Sequence, residues 1–211
     1  MLRYSARTMS SIGERIPELQ KASKKALRKE IKIKVANIPM EERIKQSQEV
    51  THAVLQMPEY KNAKSLAIYL HMNDEIQTEE LLEHSLASNK KCYIPRYFMG
   101  GNRMEMVELK NMDDYNNLPT TKWNIKQPKD DEPRPEALDH GLDLILVPGM
   151  AFNLKGHRLG RGKGYYDTYL AKCLAKSIKP VTIALAFKEQ VLDEIPVDDH
   201  DFLIDKIIYP Q

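Results

Sequence analysis

LDLILVPGMAFNLKGHRLGRGKGYYDTYLAKCLAKSIKPVTIALAF, residues 142–187, reads as strand, loop, helix and strand in succession. Its first seven residues, LDLILVP, are almost continuously apolar, the pattern of a strand covered on both faces in the middle of a parallel sheet. Residues 181–187, VTIALAF, repeat the pattern. Between them, residues 164–177 place Tyr166, Tyr169, Leu170, Cys173 and Leu174 on one side at helical spacing. Two buried strands joined through a helix make a parallel pair, because a tight turn can join only antiparallel ones.

Working outward, the same succession recurs upstream: SLAIYLH (65–71) is of strand length, TEELLEHSLAS (78–88) reads as helix and KCYIPRY (91–97) as strand. After Gly100 and Gly101, alternation over 103–109 predicts a half-exposed hairpin strand, and 206–209 a short closing strand. In residues 23–38, Leu27, Ile31, Val35 and Ile38 form one helical stripe, and a second helix follows Pro39 over 40–56. Residues 110–140 contain Pro119, Pro128, Pro133 and Pro135 and predict an ordered surface loop around Trp123. The expected architecture is a three-layer α/β/α fold, a mostly parallel sheet with helices on both faces. It forms a single domain over 21–211, preceded by a flexible or targeting extension at 1–20.

A chain of 211 residues, 42% hydrophobic, can bury one substantial core. Its formal charge of +2 gives no reason to expect a nucleic acid or a membrane surface as partner, and a monomer is expected. The charge is unevenly placed: ten basic and three acidic side chains fall within residues 1–35, so that segment carries +7 and the remainder −5. Lys24, Arg28 and Lys32 recur every fourth residue away from the apolar stripe. Cys92 and Cys173 stand far apart with no CxxC pair, which suggests neither a disulfide framework nor a cysteine zinc site and fits a reducing, cytoplasmic setting. No apolar run approaches a bilayer span. Residues 1–13, with Arg3, Arg7, several hydroxyls and no acid, are also compatible with a mitochondrial presequence.

Ligands of such sheets bind beyond the carboxyl ends of strands, so the loop PGMAFNLKGHRLGRGKGYYD (148–167) is the first candidate site. It interleaves Gly160, Gly162 and Gly164 with Arg158, Arg161 and Lys163 just ahead of a helix. Bare backbone, free amides at a helix start and cations are what a polyphosphate cradle requires. It is not a Walker loop, since Gly164 follows Lys163, nor a dinucleotide fingerprint, since Tyr165 stands at the third glycine position. Asp167, in the first turn of the helix, either complements its dipole or helps hold Mg²⁺ beside substrate phosphates. Asp198, Asp199 and Asp201 follow the next strand; one could supply a second carboxylate, and spacing does not choose among them.

The segment 142–170, together with KKALRKEI, YLHMNDEIQTEE, IPRY, LPTTKWNIKQP and ALAFKEQ in that order, resembles the 5-formyltetrahydrofolate cyclo-ligase family over nearly everything from about residue 23 onward. Asn153 stands where the family more often has Asp, and Ala151 where Gly is also common. The resemblance implies closure of 5-formyltetrahydrofolate, with or without a polyglutamate tail, to 5,10-methenyltetrahydrofolate, with ATP as co-substrate and Mg²⁺ as cofactor. It assigns ATP contacts to Lys24, Lys25, Ala26, Leu27 and Arg28, and to Arg158, Leu159, Gly160, Arg161, Gly162, Lys163, Gly164, Tyr165 and Tyr166. It assigns folate contacts to Leu70, Glu75, Tyr97, Met104 and Trp123, joined by residues 161–164 of the glycine loop. The metal ligands it implies are Asp167 and Asp201.

The chemistry so implied is γ-phosphoryl transfer to the formyl oxygen followed by attack of N10, with Lys163, Arg161 and Arg158 as the catalytic cations. Another ATP-dependent phosphotransferase on the same loop, or a non-catalytic nucleotide- or RNA-binding relative, is the competing reading, although no RNP aromatic motif is present. The six histidines show no metal-ligand spacing; His71, near Glu75, and His157, in the glycine loop, lie nearest the candidate site.

Overall fold

The computed structural model describes residues 6–121, 125–198 and 201–211, with 6–17 as backbone only. Its strands are β1 (Ser65–Ala67), β2 (Lys91–Tyr97), β3 (Met104–Leu109), β4 (Leu144–Val147), β5 (Ala151–Phe152), β6 (Arg158–Leu159), β7 (Val181–Leu185) and β8 (Lys206–Ile208). Its helices are α1 (Ala6–Ala36), α2 (Met40–Gln56), α3 (Pro58–Asn62), α4 (Glu79–Ala87), α5 (Met112–Asn117), α6 (Ala137–His140) and α7 (Tyr165–Ala175). All strands but β5 and β6 join one sheet in the order β3-β2-β1-β4-β7-β8, parallel throughout except for β3 at one edge.

Side-chain carboxylates pin the parallel register. Asp143 accepts from the amides of Lys64 and Ser65 and from the Ser65 hydroxyl, tying the start of β4 to β1. Asp205 accepts from the amide and hydroxyl of Thr182, tying β8 to β7. From β1 the chain crosses through α4 to β2 on one side, and from β4 through α7 to β7 on the other. Such crossovers are right-handed, so α4 and α7 lie on opposite faces, as the three-layer expectation requires. The reversal of direction between β1 and β4 leaves a crevice at their carboxyl ends.

Several elements differ from the sequence reading. The first helix begins at Ala6 rather than near residue 23, although its stripe docks as expected, with Ile31, Val35 and Ile38 buried. Its last carbonyls, Val35 and Ala36, which lack partners within the helix, accept from the Arg43 guanidinium, as does Ile38 O just beyond its end. The strand expected over 65–71 stops at Ala67, because the chain leaves the sheet to build the loop that carries Glu75. β3 is not half-exposed: Met104, Met106, Val107 and Leu109 are buried, since α6 and α7 cover it. Leu174 faces solvent, while its neighbours Leu170 and Cys173 are buried.

The described part of the long segment after β3 contains α5 and α6 and is held by two arginines. Arg134 donates to both oxygens of Asp114 and to Glu108 O, and Arg96 donates to the carbonyls of Lys129 and Glu132. Trp123, around which that loop was expected, lies outside the described residues. Burial pushes the Cys92 thiol up to about 12 and the Cys173 thiol up to about 11, so both behave as packing residues.

Candidate active site

Between the diverging loops of β1 and β4 lies a cavity of about 690 Å³. α1 closes its third side with Lys21, Lys24 and Arg28, spaced i, i+3 and i+7 along one helical face. Arg28 Nε donates 2.8 Å to Gly160 O, which holds α1 against the glycine loop.

That loop is built rather than slack. β5 and β6 pair Ala151 with Leu159 and Phe152 with Arg158, and Asn153 closes their turn. Fully buried, its Oδ1 accepts from the amides of Lys155 (3.1 Å) and His157 (3.0 Å). The turn demands an acceptor there, which an amide oxygen supplies as well as a carboxylate. A Cβ on Gly160 would lie 2.7 Å from Arg158 Nη1, so a side chain there would displace the guanidinium from its place over the backbone. Gly164 caps α7 at φ 68°, a left-handed conformation, with no side chain satisfying the first amides of the helix.

The site's cations are largely held by its own carboxylates. Arg158, buried, donates to Asp167 Oδ1 at 2.9 Å and to Pro148 O at 3.2 Å. Lys24 Nζ lies 2.7 Å from Asp198 and 2.6 Å from Asp201. Burial alone would pull its pKa down, but the hydrogen bonds and charges of the two aspartates outweigh that and raise it. Arg161 reaches across the crevice to Asp74 (2.6 Å) and Glu75 (3.0 Å). Lys163 is exposed on the cavity wall and makes no ion pair among the described residues.

The opposite wall is apolar and aromatic. Leu70, Tyr97, Tyr165 and Tyr166 line it, with the Tyr97 and Tyr165 rings 4.9 Å apart at 60°. Burial raises the Tyr97 and Tyr166 phenols, which keeps them neutral. Into this wall is set Glu75, only 7% exposed, with Oε2 accepting from the Met72 amide at 2.9 Å. Burial pushes its carboxyl pKa up, opposed by the charge of Arg161 and by the Met72 hydrogen bond.

A cavity with a cationic glycine loop on one side and a buried carboxylate among tyrosines on the other suits one anionic and one heterocyclic ligand. A family model described as the 5-formyltetrahydrofolate cyclo-ligase family matches residues 20–210. The chain belongs to the 5-formyltetrahydrofolate cyclo-ligase family. It is 45% identical over 190 residues to the 5-formyltetrahydrofolate cyclo-ligase of Mus musculus, covering 89% of this chain and 94% of that one. Against a probable 5-formyltetrahydrofolate cyclo-ligase of Caenorhabditis elegans it is 34% identical over 193 residues, covering 90% and 93%. The NMR structure of Aquifex aeolicus 5,10-methenyltetrahydrofolate synthetase superposes with a TM-score of 0.72 at 30% identity, covering 88% of each chain. Membership makes the chain an enzyme of ligase type, and the solved fold agrees with the α/β architecture read from the sequence.

The cyclo-ligase cavity gathers most of the residues expected at it, though not all. The whole run 158–167 lines it, with Lys24, Arg28, Leu70, Glu75, Tyr97 and Asp201. Lys25 points to solvent, and Ala26 and Leu27 face a separate shallow groove against Glu194, Ile195 and Pro196. Met104 is not on the wall: it is the cross-strand partner of Tyr97, beside it on the sheet and buried. Trp123 lies outside the described residues, as do Asp199 and His200. Sequence reading overlooked Lys21 and Asp74, and left Asp198 as one of three candidate carboxylates. Lys21 was detectable as the i−3 and i−7 neighbour of Lys24 and Arg28; nothing in the local pattern marked Asp74.

Asp167 and Asp201 share the cavity, but among the described residues no three His, Cys, Asp or Glu side chains cluster as a metal cage. A magnesium ion, which takes one or two carboxylates and fills its shell with water and phosphate, fits such a sparse donor set. Asp201 already shares the Lys24 ammonium with Asp198, so cationic charge suits that point.

Proposed function

We propose that this cyclo-ligase converts 5-formyltetrahydrofolate and ATP to 5,10-methenyltetrahydrofolate, ADP and phosphate. One observation carries the reading: the cationic glycine loop and the buried Glu75 are opposite walls of a single cavity, so a triphosphate and a pterin bound to them meet end to end.

The formyl group is amide-like; its carbon is a weak electrophile and its oxygen a poor leaving group. Transfer of the γ-phosphoryl breaks its bond to the ADP oxygen and forms one to the formyl oxygen. The N10 lone pair then attacks the formyl carbon, the C–O bond breaks with inorganic phosphate departing, and N10 gives up its proton. Such transfer asks the protein for alignment and for cations around the equatorial oxygens. Lys163, Arg158 and Arg28 supply them from two elements that the Arg28–Gly160 hydrogen bond holds together. Mg²⁺, held through Asp167 and Asp201, would add divalent charge at the phosphates. Glu75 orients the pterin by accepting from its ring N–H and amino group, each charge-assisted bond worth about 1.5–3 kcal/mol. Tyr97, with Met104 beside it across the strand pair, forms the flat apolar wall on which the ring packs.

Incubation of the purified chain with ATP, Mg²⁺ and 5-formyltetrahydrofolate should produce the near-ultraviolet absorbance of the methenyl product, and no product without ATP. Folded protein that produces none with all three present would refute the assignment.

A further inference from the structure

Asp74, which the cavity does not include, holds Arg161 in a bidentate grip: Nη2 lies 2.6 Å from Oδ1 and Nη1 3.2 Å from Oδ2. With those two nitrogens anchored, the same guanidinium turns Nε (3.2 Å) and Nη2 (3.0 Å) onto Glu75 Oε1. Glu75 is nearly fully buried, and Arg161 is the cation that faces it. The other groups facing it are Asp74 on its own loop, whose charge raises the Glu75 pKa by less than Arg161 lowers it, and the phenols of Tyr69, Tyr97 and Tyr166, which burial keeps neutral. A buried carboxylate stays ionised only while a counter-charge is in place. The Arg161 side chain is 35% exposed, and without an anchor it has solvent and the phosphate side of the cavity open to it.

We propose that Asp74 is a positioning residue: it fixes Arg161 against Glu75, and so keeps Glu75 ionised and aimed at the pterin. The inference rests on the folate reading of Glu75 given above. It moves Arg161 from the phosphoryl-transfer cations to the folate side, where a residue of the nucleotide loop sets the charge of the folate-binding carboxylate. Loss of Asp74 lets Arg161 swing away, burial without that counter-charge then favours the protonated form of Glu75, and the acceptor for the pterin donors is lost. Raising the pH restores the carboxylate.

The test compares wild type, Asp74→Ala and Asp74→Glu, measuring KM for 5-formyltetrahydrofolate, KM for ATP and kcat between about pH 6.5 and 9. In Asp74→Ala the folate KM should rise about ten-fold at pH 7, as the ionised and therefore competent fraction of Glu75 falls. It should return to within about two-fold of wild type near pH 9, with kcat and ATP KM nearly unchanged, and Asp74→Glu should restore the wild-type profile. A folate KM unaltered at pH 7, or raised equally at every pH, would overturn the proposal, the second by pointing to a damaged loop. Wild-type enzyme that forms no methenyl product at any pH would instead refute the folate reading itself.

Discussion

Replacing Glu75 with glutamine separates what the site needs from what the fold needs. The side chain is 7% exposed and isosteric with its replacement, so packing is kept. Two pterin donors lose a charged acceptor: one meets a neutral amide oxygen, and the other meets an NH₂ group that cannot accept. With charge-assisted bonds worth about 1.5–3 kcal/mol each, a net loss of about 3 kcal/mol corresponds to a folate KM raised roughly 150-fold. ATP affinity should change little. Stability should move the other way. The folded-state pKa of Glu75 lies above its ordinary 4.5, so its contribution to stability is full below that value and is lost as pH rises through the folded value. At neutral pH the ionised, buried carboxylate is therefore a cost that glutamine removes, while Arg161 keeps its bidentate hold on Asp74. Initial rates from methenyl absorbance and calorimetric melting at pH 7 give both quantities. A folate KM within about three-fold of wild type, or a melting temperature several degrees lower, would refute the reasoning.

Lys163→Ala should lower kcat by about a hundred-fold or more with unchanged melting, because the residue is exposed and serves only charge developing on the phosphoryl group; steady-state rates decide this. Arg28→Ala should raise ATP KM about ten-fold and leave folate KM nearly unchanged, since it removes both a cation and the hydrogen bond to Gly160 that seats α1 on the glycine loop. His71 is held neutral, chiefly by burial with Glu79 opposing, and its Nδ1 accepts from the Thr78 amide at 3.2 Å. Its folded pKa is lowered, so the stability it contributes is present above 6.5 and is lost as pH falls through the folded value. His71→Asn, which keeps an acceptor near Nδ1, should flatten the decline in melting temperature between about pH 7 and 5.

The repeated strand-helix-strand pattern and the glycine loop were legible because each is written in consecutive residues. LILV and VTIAL are buried on both faces, and nothing but a central position accommodates such runs. The misread elements are those whose environment comes from elsewhere. The alternation of β3 suggested one wet face, yet α6 and α7 cover it. Met104 looked like a pocket residue in line with its partner Tyr97; the antiparallel register sets it beside Tyr97, but it is buried and does not reach the cavity. Leu27 and Ala26 lie between Lys24 and Arg28 in sequence, and helical rotation turns them toward another groove.

By itself the sequence determined the layered parallel sheet, the place of the phosphate-type loop and the family, since hydrophobic period, glycine spacing and ordered motifs are local properties of the chain. Which charges meet was decided only by the tertiary structure. Asp74 and Glu75 sit some 86 positions from Arg161, and Lys24 174 and 177 from its two aspartates. Their pairing depends on strand order: β1, β4 and β7 lie side by side and the segments that follow them reach one cavity, where the buried Glu75 above all requires a cation.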